Sequence, residues 1–240
     1  MTPLDPGRLR GSWPGRAIDY YTSIGSTMDA AVGRAPGTVI IAEEQTAGQG
    51  RHGHSWHSEA ASGIYFSIVL KPAPLLTLAL GLATGEAITN ATGVACDLRW
   101  PNDVLLDGRK VAGVLTKLVD GVAIAGIGIN VNHAAFPADL AHLATSLRLH
   151  AGREFARMDI LMALIPAIER RVELDNETIL RHFEQASSYV SGRRVTVDQP
   201  DGSTIEGTTS GLDPSGYLVV RKDDGTDTLI LAGGVRAAGT

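Results

Sequence analysis

The chain has 240 residues, of which 44% are hydrophobic and 20% are charged, and its formal net charge is −5. This length and apolar fraction suffice for a sizeable core, as one large domain or as one domain with a small appendage. The negative charge argues against a general affinity for nucleic acid, which requires a concentrated basic surface.

Membrane insertion, secretion and disulfide bonding are also disfavoured. No apolar run reaches the roughly 20 residues that span a bilayer, and the first residues, with Pro3, Asp5 and Arg8, lack the apolar stretch of a secretory signal. We therefore expect a cytoplasmic protein with no membrane partner. Cys96 is the only cysteine, which excludes an internal disulfide and a cysteine-based zinc site. It is typical of a small buried hydrophobic residue.

The first part of the chain alternates predicted strands and helices. Apolar β-branched runs predict strands at 17–21, 39–42 and 64–70. A short helix capped by Ser26 is predicted at 27–34, between the first two strands. A long alanine-rich helix is predicted at 75–92, after the third strand, and it ends near Gly93. Residues 43–51 form a loop at the end of the second strand.

Hairpin-forming strands and then helices follow. Strands are predicted at 96–100, 104–106, 110–118 and 122–131, with a hairpin turn at Asp107-Gly108. The pattern at 157–174 is helical, and Pro166 within it predicts either a kink or two helices. A last helix is predicted at 178–187.

After Val190 the character of the sequence changes. Short strands at 194–197, 204–207, 217–220 and 228–231 are separated by turn residues such as Asp201-Gly202 and Asp224-Gly225. This spacing is typical of a small antiparallel barrel. It divides the chain into residues 1–189 and residues 190–240.

A glycine-rich loop is the first feature that indicates chemistry. In Gly48-Gln49-Gly50-Arg51-His52-Gly53 the glycines allow backbone N–H groups to approach an anion, and the arginine can hold a phosphate or carboxylate by two hydrogen bonds. No Gly-Lys-Ser/Thr closes the loop as in a Walker motif, and the glycine spacing is not that of a dinucleotide fold. The loop therefore suits another class of phosphate-bearing ligand.

Several further segments in a fixed order carry a family resemblance. With the glycine loop they are Ser26-Thr27, 44–51, 63–67, Arg99-Trp100-Pro101-Asn102-Asp103, 108–113 and 126–132. In this combination the chain resembles the catalytic core of bacterial biotin protein ligases, which join biotin to a lysine of a carrier domain. The resemblance implies an α+β fold: a mixed β-sheet catalytic domain of the class II synthetase-like biotin and lipoate ligase type, flanked by helices, at 1–189, and an SH3-like barrel at 190–240.

The resemblance also implies the reaction and its catalytic residues. Biotin is activated with ATP as biotinyl-5′-AMP and then transferred to the lysine ε-amine. Two anions meet in the first step, so positive charge is required, and the resemblance assigns it to Arg51 and Lys110. Mg²⁺ is expected to arrive with ATP, without a dedicated protein site.

The remaining site residues are assigned by the same resemblance. Biotin is expected to contact Ser26, Thr27, Gln45, Gln49, Gly50, Arg51, Lys110 and Gly113. ATP and the adenylate are expected to contact Arg51, His54, Trp56, Asn102, Asp103 and Asn130.

Several of these residues also have ordinary structural interpretations. From the residues alone, Ser26 is better explained as a helix N-cap, Trp56 can be a core tryptophan, and Asn102 and Asn130 can be turn residues. For Asp103 two roles stay open, to orient Lys110 or to help with magnesium.

The chain departs from the common pattern of the family at four positions. Gln49, Met28, His54 and Arg99 stand where many relatives have Arg or Lys, Asn, a basic residue and Lys, respectively. Positive charge near the phosphate is thereby reduced, and the sequence leaves open whether this weakens retention of the adenylate.

The loop also contains three histidines, His52, His54 and His57. Their irregular spacing argues against a zinc site formed by the three together.

The resemblance also indicates which partners this protein binds. The expected protein partner is a biotin carboxyl carrier domain, and a homodimer through an exposed strand edge is possible. About sixteen residues precede the first strand, too few for the helix-turn-helix domain of some relatives, so we expect no DNA binding.

The alternatives are a lipoate or octanoate ligase or transferase, and a non-catalytic biotin sensor. The first lacks the complete motif set seen here, and intact Arg51 and Lys110 argue against the second.

Overall fold

The computed structural model describes residues 2–238, which form two β-sheets and six α-helices. The larger sheet consists of β1 (Ile18–Tyr21), β2 (Val39–Ala42), β3 (Gly63–Leu70), β4 (Asp97–Arg99), β5 (Asp103–Leu106), β6 (Arg109–Val119) and β7 (Val122–Asn130). The helices are α1 (Pro6–Ser12), α2 (Thr27–Ala30), α3 (Leu76–Thr92), α4 (Leu147–Ala151), α5 (Arg157–Val172) and α6 (Asn176–Ala186).

The larger sheet is mixed and is flanked by helices. Its strand order is β1-β2-β3-β7-β6-β5-β4, in which β1 and β2 are parallel and the other neighbours are antiparallel. Helices α3 and α5 pack against each other, and both contact the sheet. The predicted α+β class with a mixed sheet is confirmed.

The apolar run of β2 is explained by burial on both faces of the sheet. Val39 and Ile41 belong to the main core, whereas Ile40 between them packs in a second cluster with Met28 of α2 and Ile124 of β7. Because both faces are covered, the strand shows no alternation of polar and apolar residues.

Two tight turns set the register of the hairpins that shape the site. Asp107 and Gly108 have φ values of 48° and 76° between β5 and β6, and Asp120 and Gly121 have φ values of 48° and 79° between β6 and β7. Positive φ at both central residues is characteristic of two-residue hairpin turns. The hairpin predicted at Asp107-Gly108 is confirmed.

The smaller sheet contains only residues after Val190. Its strands are β8 (Ser191–Asp198), β9 (Thr204–Leu212), β10 (Leu218–Arg221), β11 (Asp227–Ile230) and β12 (Gly234–Ala237). They are antiparallel in the order β11-β10-β9-β8-β12, so that β11 and β12 lie at the two edges. The separate small antiparallel unit is confirmed. Its contact with the larger unit includes a hydrogen bond of 2.8 Å from Trp100 Nε1 to the Gly216 carbonyl.

Several element predictions require correction. Helix α2 ends at Ala30 rather than at residue 34, because a turn with Gly33 at a φ of 74° follows it. Helix α5 is one continuous helix through Pro166, so the two-helix alternative was wrong. Buried Leu164, Ile165 and Ile168 hold both sides of the proline in the core, and this packing outweighs one lost backbone hydrogen bond. Elements α1, α4 and β12 were not predicted.

A buried ion pair connects the start of the chain to α5. Arg157 Nη1 lies 2.7 Å from Glu43 Oε2, and both side chains are almost fully buried. The second carboxylate oxygen accepts hydrogen bonds from Leu4 N at 2.6 Å and from the Tyr20 hydroxyl at 3.1 Å. Glu43 directly precedes the segment that leads into the glycine loop, so this network anchors that end of the site.

Two further expectations concern the membrane and the cysteine. Among residues 2–238, the helices all fall short of the length and apolar character needed to cross a bilayer. Cys96 is a free, half-buried thiol, and burial raises its pKa to about 12. A thiol that stays protonated is a poor nucleophile, which agrees with a packing role.

Candidate active site

A cavity of about 640 Å³ lies between the larger sheet, the glycine loop and the smaller sheet. All but one of the predicted site residues line it, namely Ser26, Thr27, Gln45, Gln49, Gly50, Arg51, His54, Trp56, Asn102, Asp103, Lys110 and Gly113. Its walls include apolar side chains of Phe66, Val114, Leu115 and Ile127. A largely apolar pocket with a few fixed polar groups is typical of small-molecule sites.

One end of the cavity is polar and organised around Gln45. Its Oε1 accepts hydrogen bonds from Thr27 N at 2.9 Å and Thr27 Oγ1 at 3.0 Å, and its Nε2 donates to Ser58 Oγ at 3.0 Å. Ser67 Oγ donates in turn to Thr27 Oγ1 at 2.8 Å. The carboxamide is thus fixed in one orientation, with its second N–H hydrogen available to a ligand.

Ser26 combines the two roles that the sequence left open. Its Oγ accepts a hydrogen bond of 3.2 Å from Met28 N, so it is the N-cap of α2, and the residue also lines the cavity. A hydroxyl that accepts from a backbone N–H still has its own hydrogen to donate. Capping α2 and binding a ligand are therefore compatible.

The two predicted cationic residues line the same cavity and are held by adjacent residues. Arg51 Nη1 donates to Asn102 Oδ1 at 3.1 Å and to the Gly233 carbonyl at 3.3 Å. Lys110 Nζ lies 2.5 Å from Asp103 Oδ1. Burial lowers the pKa of Arg51 while Asp103 acts in the opposite direction, yet a guanidinium remains charged in proteins. The cavity therefore contains two positive charges.

Asp103 holds two cations at once. In addition to Lys110 it pairs with Arg99, whose Nη2 lies 2.7 Å from Oδ2. Burial by itself would raise the pKa of Asp103, but the charges of Lys110 and Arg99 outweigh it and keep that pKa below its usual range. This geometry favours the orienting role for Asp103.

The indole of Trp56 packs against Gly113 and Gly128 of the larger sheet, which together are called the glycine floor below. Gly113 of β6 and Gly128 of β7 face each other in the sheet, and a Cβ atom at Gly128 would overlap the indole, while one at Gly113 would come within 3.0 Å of it. The amino group of Lys110 lies 5.3 Å from the ring centre, within reach of a cation–π interaction. Among residues 2–238 the buried indole Nε1 has no hydrogen-bond partner, which leaves a donor unused inside the site.

Asn130 is the predicted residue that the structure places outside the cavity lining. Its Nδ2 donates to the Thr145 carbonyl at 3.1 Å. Thr145 N donates to the Lys110 carbonyl at 2.9 Å, and Lys110 N donates to the Leu143 carbonyl at 2.9 Å. Asn130 thus supports the segment that clamps the backbone of Lys110.

Gln49 and Asn102 make interactions that the sequence did not indicate. Gln49 bridges Asp29 Oδ1, at 2.8 Å from its Nε2, and Lys117 Nζ, at 2.5 Å from its Oε1. Asn102 accepts a hydrogen bond from Arg51 through Oδ1 and donates one through Nδ2 to the Val114 carbonyl at 2.9 Å.

Some lining residues were not predicted. Gly126 and Gly128 belong to a quoted motif, and their i, i+2 spacing on a strand places both on one face, a signal that could have revealed them. The segment 198–200 and Gly233 come from the smaller sheet and its turns, where nothing in the sequence indicates a ligand.

Comparison with known proteins finds a family match in each part of the chain. The Biotin/lipoate A/B protein ligase family matches residues 31–133, and the Biotin protein ligase C terminal domain matches residues 190–235. The Bifunctional ligase/repressor BirA of Bacillus subtilis is 32% identical over 88% of this chain and 71% of its own length. The biotin--[acetyl-CoA-carboxylase] ligase of Mycobacterium tuberculosis is 32% identical over 97% of this chain and 94% of its own length.

A solved structure agrees with these relatives. Biotin protein ligase from Aquifex aeolicus in complex with biotin and ATP superposes with a TM-score of 0.84 at 29% identity, covering 92% of this chain and 99% of that one. Since the matches extend over both sheets and over most of each relative, the chain belongs to the biotin protein ligase family.

Proposed function

We propose that this chain is an ATP-dependent, AMP-forming biotin protein ligase that acts on a biotin carboxyl carrier domain. The observation that carries the proposal is the placement of Arg51 and Lys110 in one cavity, each held by one of the adjacent residues Asn102 and Asp103. The Mycobacterium tuberculosis relative bears the name of this activity, and the Aquifex structure is a complex with biotin and ATP.

In the first step, a carboxylate oxygen of biotin attacks the α-phosphorus of ATP, and the bond to pyrophosphate breaks. Two anions approach each other, and negative charge accumulates on the phosphorus oxygens. Arg51 and Lys110 neutralise this charge from fixed positions, which is the arrangement that lowers such a barrier most effectively.

In the second step, the ε-amine of the carrier lysine attacks the acyl carbon of biotinyl-5′-AMP. The bond to the phosphate oxygen breaks, AMP leaves and the amine loses a proton, which yields an amide. The mixed anhydride must be protected from water, and the cavity between the glycine loop and the smaller sheet provides this shelter.

The polar end of the cavity suits the ureido ring of biotin. The ring has one acceptor and two donors, and the Ser26 hydroxyl and the free N–H of Gln45 are donors that can meet the acceptor. The apolar walls formed by Phe66, Val114 and Ile127 suit the bicycle and its aliphatic tail. In this proposal Thr27 fixes Gln45, and Gln49 lies at the rim. Gly50 lets the backbone of His54 approach closely, and Gly113 leaves room for Lys110 and Trp56.

The nucleotide side is formed by Trp56, His54 and Asn102. We assign Trp56 to stacking on adenine, since its indole is supported from behind by the glycine floor of β6 and β7. Asn102 acts by holding Arg51. Asn130 acts through Thr145 on Lys110 and is therefore a positioning residue.

Mg²⁺ would enter as a complex with ATP. In residues 2–238, two carboxylates of the cavity already pair with cations: Asp103 with Lys110 and Arg99, and Asp198 with Arg236, while Asp139 also lines the cavity. With its carboxylates already engaged, the cavity is better suited to an ion that keeps water and phosphate ligands than to an ion held only by protein ligands. When bound, the ion would supply charge neutralisation on the phosphates.

The organisation of the protein follows from the same proposal. We assign catalysis to residues 1–189 and a covering role to residues 190–240, because Arg51 reaches the Gly233 carbonyl across the junction. A location in the cytoplasm agrees with the use of ATP as a substrate. A homodimer would form through β1 or β4, the edge strands of the larger sheet.

The test is ATP–pyrophosphate exchange with biotin, lipoate or octanoate offered separately to the full chain. The proposal expects exchange with biotin alone, followed by labelling of a carrier-domain lysine when that domain is added. Exchange with lipoate or octanoate but not biotin would identify the other acyl-ligase activity. Biotin binding without exchange would indicate a sensor.

A further inference from the structure

A second cluster of ionisable residues lies just beyond Trp56, outside the cavity lining. One ring nitrogen each of His57 and His133 and a carboxylate oxygen of Glu59 lie within 4.8 Å of one another. His133 is fully buried, His57 is half-buried and Glu59 is exposed. Within residues 2–238 this is the one group of three such side chains with metal-ligand proximity.

Hydrogen bonding determines which nitrogen of His133 carries the proton. The Tyr65 hydroxyl donates its single hydrogen to the Glu59 carbonyl at 2.7 Å, and burial raises the pKa of Tyr65, so this hydrogen is retained. His133 Nε2 lies 3.2 Å from the same hydroxyl oxygen and must therefore be the donor in that contact. The lone pair of the neutral ring is consequently on Nδ1.

Nδ1 of His133 is a buried acceptor without a hydrogen-bond partner in the described chain. Such an atom is costly unless it binds something, because its solvation in water is lost without replacement. The ring centre of Phe136 lies 5.2 Å from that of the stacked His133 ring and 6.2 Å from that of His57, which it meets edge-on. A ligand for Nδ1 must fit among these rings.

We propose that His57, Glu59 and His133 bind one divalent transition-metal ion of the Zn²⁺ class. Two imidazole nitrogens and one carboxylate are a donor set that zinc uses, with a fourth position left for water, whereas Mg²⁺ prefers oxygen ligands alone. The Nε2–H of His133 donates to Tyr65, which is the orienting bond that metal-binding histidines make in general.

The three ligand groups must move closer together on binding. Ligand atoms about 2.1 Å from a tetrahedral ion lie roughly 3.4 Å apart, so the cluster must contract from its present limit of 4.8 Å. Glu59 is exposed and His57 lies in a loop, so both can approach the fixed ring of His133.

The position of the site connects it to the ligand loop. His57 and Glu59 flank Ser58, whose Oγ accepts the hydrogen bond from Gln45 Nε2. His57 also follows Trp56 directly in the sequence. His133 lies just after β7. A bound ion would therefore fix residues 56–59 to the end of the sheet and hold both Trp56 and Ser58 in place.

The test is calorimetric titration of the chelator-treated full chain with Zn²⁺ at neutral pH, without biotin or ATP. We expect one site with a dissociation constant below about 10 µM. H57A and E59Q are suitable variants because neither residue is in the core, and each should weaken binding by at least about 10-fold. H52A is the matched control, since His52 lies in the same loop but outside the cluster. It should bind like the wild type.

A second readout examines the loop itself. Zn²⁺ should slow amide hydrogen exchange in residues 56–59 of the wild type but not in H57A, while circular dichroism of the two metal-free proteins should be identical. No binding below about 100 µM, equal affinities in H57A, E59Q and the wild type, or a loss of affinity in H52A would each overturn the proposal. Because no biotin or ATP is present, these outcomes are independent of the ligase assay.

Discussion

The amino group of Lys110 lies 2.5 Å from Oδ1 of Asp103, whose other carboxylate oxygen pairs with Arg99. Asp103 thereby fixes the position of the Lys110 amino group, whose positive charge the proposed reaction needs. Asp103 follows Asn102, which holds Arg51, so one turn of the chain orients both cations of the cavity.

Replacing Lys110 by alanine should depress biotin-dependent pyrophosphate exchange by about 100-fold to 1,000-fold, because a fixed charge on the developing phosphate charge is lost. Exchange kinetics at saturating ATP measure the effect. Arg109→Ala is the matched control, since Arg109 is the neighbouring cation on β6 and does not line the cavity. Equal rates in Lys110→Ala and the wild type would remove Lys110 from the mechanism.

Asp103→Asn should destabilise the protein in a pH-dependent way. Burial opposes ionisation of Asp103, but Lys110 and Arg99 hold its folded pKa below the unfolded value of about 4. The stabilisation by ionised Asp103 is therefore complete above that pH and disappears as the pH falls through the folded pKa. Urea unfolding should show a constant difference between wild type and variant from pH 7 to about pH 5, and a shrinking one below about pH 4. A difference that grew on acidification would contradict this assignment.

Gly128→Ala should impair the site through Trp56. The added Cβ would overlap the indole and displace it, and the loss of one base-stacking contact is worth about 1–3 kcal/mol. We expect the KM for ATP in biotin-dependent pyrophosphate exchange to rise about 10-fold. Trp56→Ala should produce a similar rise. If the two residues act through one contact, the double variant should be no worse than the more affected single variant, whereas additive losses would separate them.

Asn130→Ala distinguishes positioning from nucleotide contact. Since Asn130 Nδ2 supports the Thr145 carbonyl and thereby Lys110, the variant should lower the exchange rate at saturation about 10-fold, with the KM for ATP unchanged. A raised KM with an unchanged maximal rate would instead restore the adenine contact that the family resemblance implies.

The Glu43–Arg157 ion pair should be worth far more than an exposed pair. Glu43→Gln leaves a buried guanidinium without its counter-charge, so the free energy of unfolding should fall by about 3–5 kcal/mol. Asp159→Asn, which removes the exposed partner of Arg8, should change it by less than about 1 kcal/mol. Urea denaturation of both variants measures the contrast, and similar small losses would show that the buried network contributes little.

The sequence alone determined most of the local structure and the chemical character of the site. Apolar runs identified β2 and β3, the alanine-rich repeat and Gly93 delimited α3, and Asp107-Gly108 identified a hairpin. These features depend on neighbouring residues, which the sequence shows directly. Short elements such as α1 and α4 were missed because a helix of one or two turns carries too few apolar positions to show a period.

The motif residues and their family resemblance gave the cavity lining, but not the partners of those residues. That Asp103 holds Lys110, that Arg51 reaches Gly233 and that Trp56 lies on two glycines follow from which strands pair and in which register. The sequence likewise grouped His57 with its loop neighbours, whereas the fold brings it to His133. Contacts between distant residues depend on the path of the whole chain, because the net stability of a given pairing is a small difference between burial and conformational entropy summed over the entire fold. Only the tertiary structure could therefore decide them.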